Sequence, residues 1–301
     1  MDKVLYLGVT QFLEEHKNFV DVNQIYRNIP KFLKPLRKIF FDLDLPFKRI
    51  WLVKEFQKTI EKYDTVILSA TLYNIKISRI IDSYNFRNKR FIFWYWNPVE
   101  ATCFPSEISK LWEKWSFDKK DCEEYNLKYN NTYYFKKFVV PSKDEVRFQV
   151  SFVGQDKGRL PLLLNIKEKL DKSNITSYFH VVKDSTSNME YNYMGRINYS
   201  DILEILRTSN ILLDIVQESQ SGLTLRVMEG LFFSKKVITN NIDINRYNFY
   251  NPNNIFIWGK DPESKLMDFI RTDYVPVSED ILNGYTIDSW LNNFNKYQPN
   301  G

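Results

Sequence analysis

Cysteine and histidine are scarce in this 301-residue chain, which contains two of each. The cysteines are Cys103 and Cys122, and the histidines are His16 and His180. Two cysteines are too few for the disulfide framework of a small secreted domain, and no pair among the four residues has the spacing of a zinc site, which needs three or four ligands. The first residues also lack the pattern of a signal sequence. We therefore expect a cytoplasmic protein without a metal site of this kind.

Glycine-rich motifs and long apolar runs are missing as well. The nine glycines form neither a Walker loop nor a Gly-x-Gly-x-x-Gly fingerprint. The densest apolar run, residues 91–96, has the length of a strand, whereas a helix needs roughly 20 apolar residues to cross a bilayer. These absences argue against a P-loop nucleotide hydrolase, a dinucleotide oxidoreductase and a transmembrane protein.

The length and the apolar pattern predict two α/β domains. In the first half, residues 3–9, 63–70 and 89–96 have the pattern of buried parallel strands, and the segments between them show helical spacing over residues 50–63 and 75–84. After a stretch resembling a linker, residues 136–148, the pattern restarts. We expect a first domain over residues 1–140, a second over 148–280 and a C-terminal segment over 281–301, with a helix at 286–294.

The second half alternates strands and helices with little between them. The predicted strands are 149–154, 177–182, 211–216 and 236–239, and the predicted helices are 160–170, 199–208 and 224–233. Such alternation is typical of a Rossmann-like unit with a parallel sheet. Ligands of these units bind at the carboxyl ends of the strands, so the loops that follow the strands are the first places to look for a site.

Residues 40–45, FFDLDL, contain an Asp-x-Asp sequence that resembles a phosphatase or metal-binding motif. The motif of haloacid-dehalogenase phosphatases continues into Gly or Val and then Thr and belongs to the first strand. Here Asp44 is followed by Leu45 and Pro46, and a strand and a predicted helix precede it. Asp42 and Asp44 are therefore not expected to act as nucleophile or metal ligands.

A basic and aromatic stretch at residues 31–51 admits two interpretations. Its basic residues are Lys31, Lys34, Arg37, Lys38, Lys48 and Arg49, and its apolar residues include Phe32, Leu33, Leu36, Ile39, Phe40, Phe41 and Trp51. In one interpretation this is an amphipathic helix whose apolar side is core and whose lysines are merely solvated. In the other, the stretch rests on anionic lipid at the inner face of the plasma membrane.

The most informative segment is residues 211–241, ILLDIVQESQSGLTLRVMEGLFFSKKVITNN. It resembles the nucleotide-sugar site of glycosyltransferases of the GT-B fold. The resemblance implies that Gly222, Leu223 and Thr224 form the turn where a helix amino terminus meets the phosphates of the donor, because free N–H groups and the helix dipole favour negative charge there. It also implies that Glu229 binds the ribose hydroxyls and that Thr224 caps the helix and donates to a phosphate.

Retaining enzymes of this kind carry two glutamates eight positions apart, and the residue at the first position here is Ser221. Glu218, three residues earlier in the same loop, is a candidate for the missing role. Arg226 is a candidate for replacing part of the lost contacts or for gripping the diphosphate. Whether the anomeric configuration is retained or inverted therefore stays open.

A second matching element is residues 151–159, SFVGQDKGR, in which a strand runs into a tight loop containing Gly154. The resemblance implies that Lys157 and Arg159 neutralise the leaving diphosphate, a task that needs no metal or other cofactor where cations and helix ends supply the charge. The alternative for this loop is a plain basic turn.

The acceptor would bind to the first half of the chain. An inverting transfer needs one base for the acceptor hydroxyl, and three residues in loops after predicted strands could serve: His16, Glu14 and Glu100. Each of them is also explained by an ordinary surface or structural role.

The resemblance as a whole implies two Rossmann-like domains facing a central cleft, with a C-terminal helix returning to the first domain. It implies metal-independent hexosyl transfer from a nucleotide-sugar donor to a glycan or lipid-linked acceptor in bacterial capsule, lipopolysaccharide or other polysaccharide biosynthesis. The alternatives are a nucleotide-sugar epimerase, a CMP-sugar transferase and a non-catalytic nucleotide- or glycan-binding partner. Nucleic acid is not an expected partner, and peripheral contact with an anionic membrane is.

Overall fold

The computed structural model describes residues 3–9, 11–139, 145–187, 190–217 and 221–296. The chain divides into two compact units, Met1–Asn130 and Asn131–Gly301. Each unit has its own parallel sheet and its own hydrophobic core. The boundary after residue 130 places residues 131–139 in the second unit. No helix in the described ranges is both long enough and apolar enough to cross a membrane.

The first unit is built on a six-stranded parallel sheet with the strand order β2-β1-β3-β4-β5-β6. Its strands are β1 Val4–Leu7, β2 Asp21–Asn23, β3 Thr65–Ser69, β4 Arg90–Tyr95, β5 Trp112–Ser116 and β6 Lys128–Tyr129. Its helices are α1 Leu13–His16, α2 Lys34–Asp42, α3 Phe56–Glu61, α4 Leu72–Asp82 and α5 Lys119–Tyr125. Short 3-10 helices cover Lys31–Leu33, Lys48–Trp51, Val99–Ala101 and Pro105–Glu107.

The central strands of the first unit are buried on both faces. Successive residues Ile92, Phe93 and Trp94 of β4 are all fully buried, which explains why the strand is a continuous apolar run rather than an alternating one. Side-chain caps fix the helices that follow. Thr71 accepts the backbone N–H of Asn74 at the start of α4, and the carboxylate of Asp118 accepts the N–H of Lys120 at the start of α5.

The second unit has a five-stranded parallel sheet with the order β11-β10-β9-β7-β8. Its strands are β7 Phe148–Gln155, β8 Ser177–Val182, β9 Ser209–Asp214, β10 Lys236–Thr239 and β11 Ile255–Ile257. Its helices are α6 Leu160–Lys172, α7 Tyr199–Arg207, α8 Leu225–Phe232, α9 Leu266–Arg271, α10 Glu279–Asn283 and α11 Ile287–Lys296. Short 3-10 helices cover Lys136–Phe138, Ile242–Arg246 and Glu263–Lys265.

The last helix, α11, buries Ile287, Trp290 and Phe294. The Trp290 ring packs on that of Tyr133 with their centroids 4.6 Å apart, and both residues belong to the second unit. The predicted return of the C-terminal helix to the first domain stays a prediction.

Helix α8 lies very close to β10, and Gly230 makes this approach feasible. A Cβ atom added at Gly230 would lie 2.4 Å from Cγ2 of Val237, far inside van der Waals contact. Val237 is a buried, β-branched strand residue, so its side chain has little freedom to turn away. The absence of a side chain at Gly230 therefore sets the distance between α8 and the sheet.

We expect Gly230→Ala to lower the free energy of unfolding by about 1–3 kcal/mol, because overpacking outweighs the gain of about 1 kcal/mol in helix propensity. Urea unfolding followed by circular dichroism measures the change. Gly195→Ala is the matched control, since an added Cβ there meets no atom within 4 Å. Equal stability of the two variants would show that α8 can move away from β10 without loss.

Candidate functional site

The carboxyl ends of β7, β9 and β10 lie at one edge of the second sheet because the strands are parallel neighbours. The strand ends, the loops that leave this edge and helix α8 contain the predicted donor-site residues that the structure describes. Two side-chain contacts connect these elements. The guanidinium of Arg226 in α8 donates to the carbonyl of Val153 in β7 at 3.1 Å, and Arg159, after β7, donates to the carbonyl of Ile215, after β9.

Asp214, the last residue of β9, is the centre of this edge. Its carboxylate is buried and accepts hydrogen bonds from the hydroxyls of Thr224 at 2.8 Å and Thr239 at 3.2 Å. Burial raises the pKa of Asp214, while the Thr224 hydrogen bond and the charge of Arg159 oppose the rise. This carboxylate therefore ties β9 to β10 and to the amino end of α8. Asp214 is not among the residues predicted from the sequence; its one local signal is that a carboxylate ends the apolar strand ILLD.

Thr224 caps α8, as its sequence position suggested. Its hydroxyl accepts the backbone N–H of Val227 at 3.1 Å and gives its one proton to Asp214. The hydroxyl proton is thus not directed at a ligand. The backbone N–H groups of Leu225 and Arg226, in the first turn of α8, have no hydrogen-bond partner within the described residues. These two N–H groups are the donors that an anion could reach at this helix end.

Glu229 lies inside the protein, with none of its surface exposed. The hydroxyl of Tyr199 donates to its Oε1 at 2.9 Å, and the Arg226 guanidinium is ion-paired with its Oε2. The hydroxyls of Tyr134 and Tyr199 lie 2.6 Å apart; since Tyr199 gives its proton to Glu229, Tyr134 is the donor to Tyr199. Burial raises the pKa of Glu229, and Arg226 opposes the rise. Both carboxylate oxygens are occupied, so a ribose could reach Glu229 only after Tyr199 or Arg226 releases it.

Arg159 is held by three backbone carbonyls, those of Gln155, Asp156 and Ile215. Burial lowers the pKa of Arg159, and Asp214 is the first of the carboxylates that oppose this shift. Gly154 leaves room for the guanidinium, because a Cβ at that position would lie 3.3 Å from Nη2 of Arg159. Arg159 therefore closes the loop after β7 and offsets part of the buried negative charge.

Lys157 is the exposed cation of this loop. Its backbone has φ of 48°, in the left-handed region, and its N–H donates to the carboxylate of Asp184 at 2.9 Å. Its ammonium group makes no ion pair with the part of the chain that the structure describes. Of the two basic residues predicted for this loop, Arg159 is held by backbone carbonyls, whereas Lys157 is exposed.

The turn before α8 is fixed at both of its ends. The carbonyl of Ser221 accepts from the side-chain amide of Asn241, and the carbonyl of Leu223 accepts from the Thr132 hydroxyl at 3.1 Å. Gly222 and Leu223 are buried. Glu218, the candidate for the missing glutamate, lies outside the described residues.

The predicted acceptor residues lie in the first unit. His16 is buried in α1, with its Nδ1 2.7 Å from the carbonyl of Phe12, and burial lowers the pKa of the His16 imidazole. Glu14 is exposed and ion-paired with Lys17 at 2.7 Å. Glu100 is exposed in the 3-10 helix that follows β4. A neutral imidazole suits a base, but His16 is not open to solvent, whereas both glutamates are.

The Asp-x-Asp sequence is not a strand end. Asp42 is the last residue of α2 and accepts from the Tyr73 hydroxyl at 2.9 Å, and Asp44 lies in the following turn, ion-paired with Lys48 at 2.6 Å. Within the described residues there is no group of three or more His, Cys, Asp or Glu side chains that could hold a metal ion.

No family model matches the chain, and no curated protein is recognisably similar to it in sequence. Solved structures do resemble it. One is a sucrose-phosphate synthase from Thermosynechococcus elongatus, with a TM-score of 0.62 at 10% identity over 98% of each chain. Another is a DNA-modifying β-glucosyltransferase, whose structure was determined with and without uridine diphosphoglucose, with a TM-score of 0.55 at 12% identity over 97% of this chain and 98% of that one.

A third similar structure is the N-terminal domain of trehalose-6-phosphate phosphatase from Candida albicans, with a TM-score of 0.52 at 10% identity over 97% of this chain and 89% of that one. At such identities the likeness establishes the fold alone. It confirms the predicted fold class, an α/β chain with the two Rossmann-like units of GT-B proteins.

The buried pair of Arg226 and Glu229 gives a testable consequence for stability. Arg226→Met leaves the Glu229 carboxylate buried without a counter-charge and should cost about 3–5 kcal/mol of unfolding free energy. The double variant Arg226→Met/Glu229→Leu removes both charges and should recover most of that loss. Urea unfolding of the two variants and the parent measures both values. A double variant less stable than Arg226→Met would contradict the pairing.

Proposed function

We propose that this chain is a metal-independent glycosyltransferase that moves a hexosyl group from a nucleotide-diphosphate sugar to a glycan or lipid-linked acceptor. The proposal rests on one edge of the second sheet, where the amino end of α8 adjoins the loop after β7. Two backbone N–H groups with no hydrogen-bond partner among the described residues, and the exposed residue Lys157, flank this edge.

This combination suits a diphosphate. Backbone N–H groups at a helix start bind phosphate oxygens, and a nearby ammonium group neutralises the charge that the leaving diphosphate acquires in the transition state. The carboxyl edge of a parallel sheet is also where ligands of open α/β folds bind. One structure of the same fold, the β-glucosyltransferase, has uridine diphosphoglucose as its substrate. We place the same class of donor at this edge.

The buried residues behind the edge have a different role in the proposal. Asp214 and Glu229 hold Thr224 and Arg226 in place, so the first turn of α8, which carries the two N–H groups, has a fixed position. The ribose contact implied for Glu229 requires a rearrangement of Tyr199 or Arg226. We therefore assign Glu229 to positioning, with ribose binding as a second step that donor entry would trigger.

For the acceptor we place the base at Glu100, ahead of Glu14 and His16. Glu100 is exposed and makes no hydrogen bond within the described residues, whereas Glu14 is paired with Lys17 and His16 is buried. In an inverting transfer the carboxylate takes the proton of the acceptor hydroxyl while that oxygen bonds to the anomeric carbon. The bond from that carbon to the diphosphate breaks, and the diphosphate leaves with the electron pair. Assembly of bacterial surface polysaccharide is the setting we infer from the resemblance of residues 211–241.

A second candidate is a non-catalytic nucleotide-binding protein of the same fold. Two observations favour it: Glu229 is fully buried, and Ser221 stands at the position of a family glutamate. A panel of UDP-, GDP-, ADP- and dTDP-hexoses separates the two candidates. A transferase is stabilised against heat by its donor and slowly releases the nucleotide, whereas a binder is stabilised without release.

Lys157→Gln should weaken binding of the stabilising nucleotide diphosphate by roughly 10- to 100-fold, because a charge-assisted contact contributes about 1.5–3 kcal/mol. Isothermal titration measures the affinity. Binding of the same nucleoside without phosphates should not change. Lys172→Gln is the control, since Lys172 is an exposed lysine of α6 that pairs with Glu168. An unchanged affinity in a folded Lys157→Gln protein would remove this lysine from the site.

Nucleotide release should also survive EDTA, because the proposal assigns the leaving diphosphate to Lys157 and the α8 amino end rather than to a cation. The assay compares parent protein before and after dialysis against EDTA, with and without added magnesium or manganese. Complete loss of release that either metal restores would contradict metal independence and return attention to Asp42 and Asp44.

A further inference from the structure

Helix α2 and its flanking 3-10 helices expose apolar side chains that the core does not use. Phe32 and Phe47 are each 77% exposed, an unusual state for phenylalanine. We call the exposed set the α2 face; it consists of Phe32, Leu36, Ile39, Leu43, Phe47 and Ile50. The spacing of its first four members, three or four residues, puts them on one side of the helical segment.

A different side of α2 anchors the helix in the protein. Phe41 is 2% exposed and packs edge-on against Tyr26, with their ring centroids 5.4 Å apart. Phe40 packs against Trp51 in the same manner at 5.5 Å. The amphipathic interpretation of this stretch therefore accounts for the inward residues only. The α2 face is a second apolar surface on a helix that is already fixed.

The charge around the α2 face is positive. Residues 31–51 contain six basic and two acidic side chains. Asp44 is ion-paired with Lys48, and Asp42 accepts from Tyr73. Lys31, Lys34 and Lys38 are exposed and pair with no carboxylate in the described part of the chain. Their charge is thus available to an outside partner.

A cavity of about 210 Å³ opens beside α2, lined by Tyr26, Arg37, Lys38, Phe41 and Tyr73. The Arg37 guanidinium lies 4.4 Å from the centroid of the Tyr26 ring, which holds it at the cavity wall. The lining surface of the cavity is mainly apolar, so the cavity extends the apolar surface beside α2, with Arg37 and Lys38 among its lining residues.

We propose that the α2 face docks on the surface of an anionic bilayer, with its apolar side chains in the interface and Lys31, Lys34, Lys38 and Arg37 at the phosphate headgroups. Apolar contact and electrostatic attraction add together in such binding. A second copy of the chain is a poorer occupant, because a two-fold contact would bring the same positive charges face to face.

Membrane docking bears on the acceptor. A chain held at the bilayer surface meets lipid-linked glycans as a concentrated substrate, so the lipid-linked class of acceptor follows if the proposed transferase activity holds. The docking itself does not rest on that activity. Vesicle binding is measured without donor or acceptor, so a failure of docking and a failure of transfer can be told apart.

The test is co-sedimentation with phosphatidylcholine vesicles with and without phosphatidylglycerol. The chain should sediment with the anionic vesicles at 0.1 M salt and largely lose binding at 1 M, because the Debye length falls from about 10 Å to about 3 Å. Lys31→Gln/Lys34→Gln/Lys38→Gln should weaken binding by on the order of 100-fold, at roughly fivefold for each basic group. Lys62→Gln/Lys260→Gln/Lys265→Gln, three exposed lysines elsewhere, should bind like the parent.

The apolar contribution has its own pair of variants. Phe32→Ser/Leu43→Ser should reduce vesicle binding at 0.1 M salt, whereas Phe104→Ser/Leu111→Ser, which alters exposed residues outside the α2 face, should not. Binding that is absent from anionic vesicles, or equal in each variant and its control, would overturn the proposal. The proposal would also be overturned if the chain does not bind vesicles and instead forms a concentration-dependent dimer in light scattering that Phe32→Ser/Leu43→Ser abolishes.

Discussion

Two buried carboxylates, Asp214 and Glu229, fix the arrangement of the second unit at the carboxyl edge of its sheet. A carboxylate without water is costly unless cations and hydrogen-bond donors surround it. The donors here come from separate elements: Thr224 from the start of α8, Thr239 from β10 and Tyr199 from α7. Because each donor must be in place for the burial to be tolerable, the carboxylates fix where those elements lie relative to one another.

The need to pair these buried carboxylates distinguishes residues that support the edge from groups that could contact a ligand. The sequence does not make this distinction. Glu229, Arg159 and the hydroxyl of Thr224 have the residue types of a ligand site, yet their polar atoms face protein partners. By contrast, the backbone N–H groups of Leu225 and Arg226 have no hydrogen-bond partner among the described residues, and Lys157 is exposed. If the proposed donor binds at this edge, it meets a support whose own charges already have partners, which is how preorganised anion sites avoid reorganising when charge develops.

Much of the fold was predictable because buried parallel strands are continuous apolar runs: β3 and β4 were located from such runs to within two residues at each end. The helix predicted over residues 50–63 was less accurate. The structure has a 3-10 helix ending at Trp51 and then α3 from Phe56, because Glu55 adopts the left-handed conformation with φ of 59°. Hydrophobic spacing continues through such a break and does not reveal it.

In the candidate site, local chemistry was easier to predict than long-range partners. A threonine before an apolar helix predicts the cap that Thr224 makes, and the spacing of Arg226 and Glu229 is that of a helical pair. Nothing local marks Tyr199 or Val153 as their further partners, since these contacts depend on the tertiary fold.

The α2 face has a consequence for handling the protein. A molecule with exposed phenylalanines is surface-active, so it should collect at air–water interfaces and adsorb to plastic. Dilute samples will therefore lose material unless a mild detergent covers the α2 face.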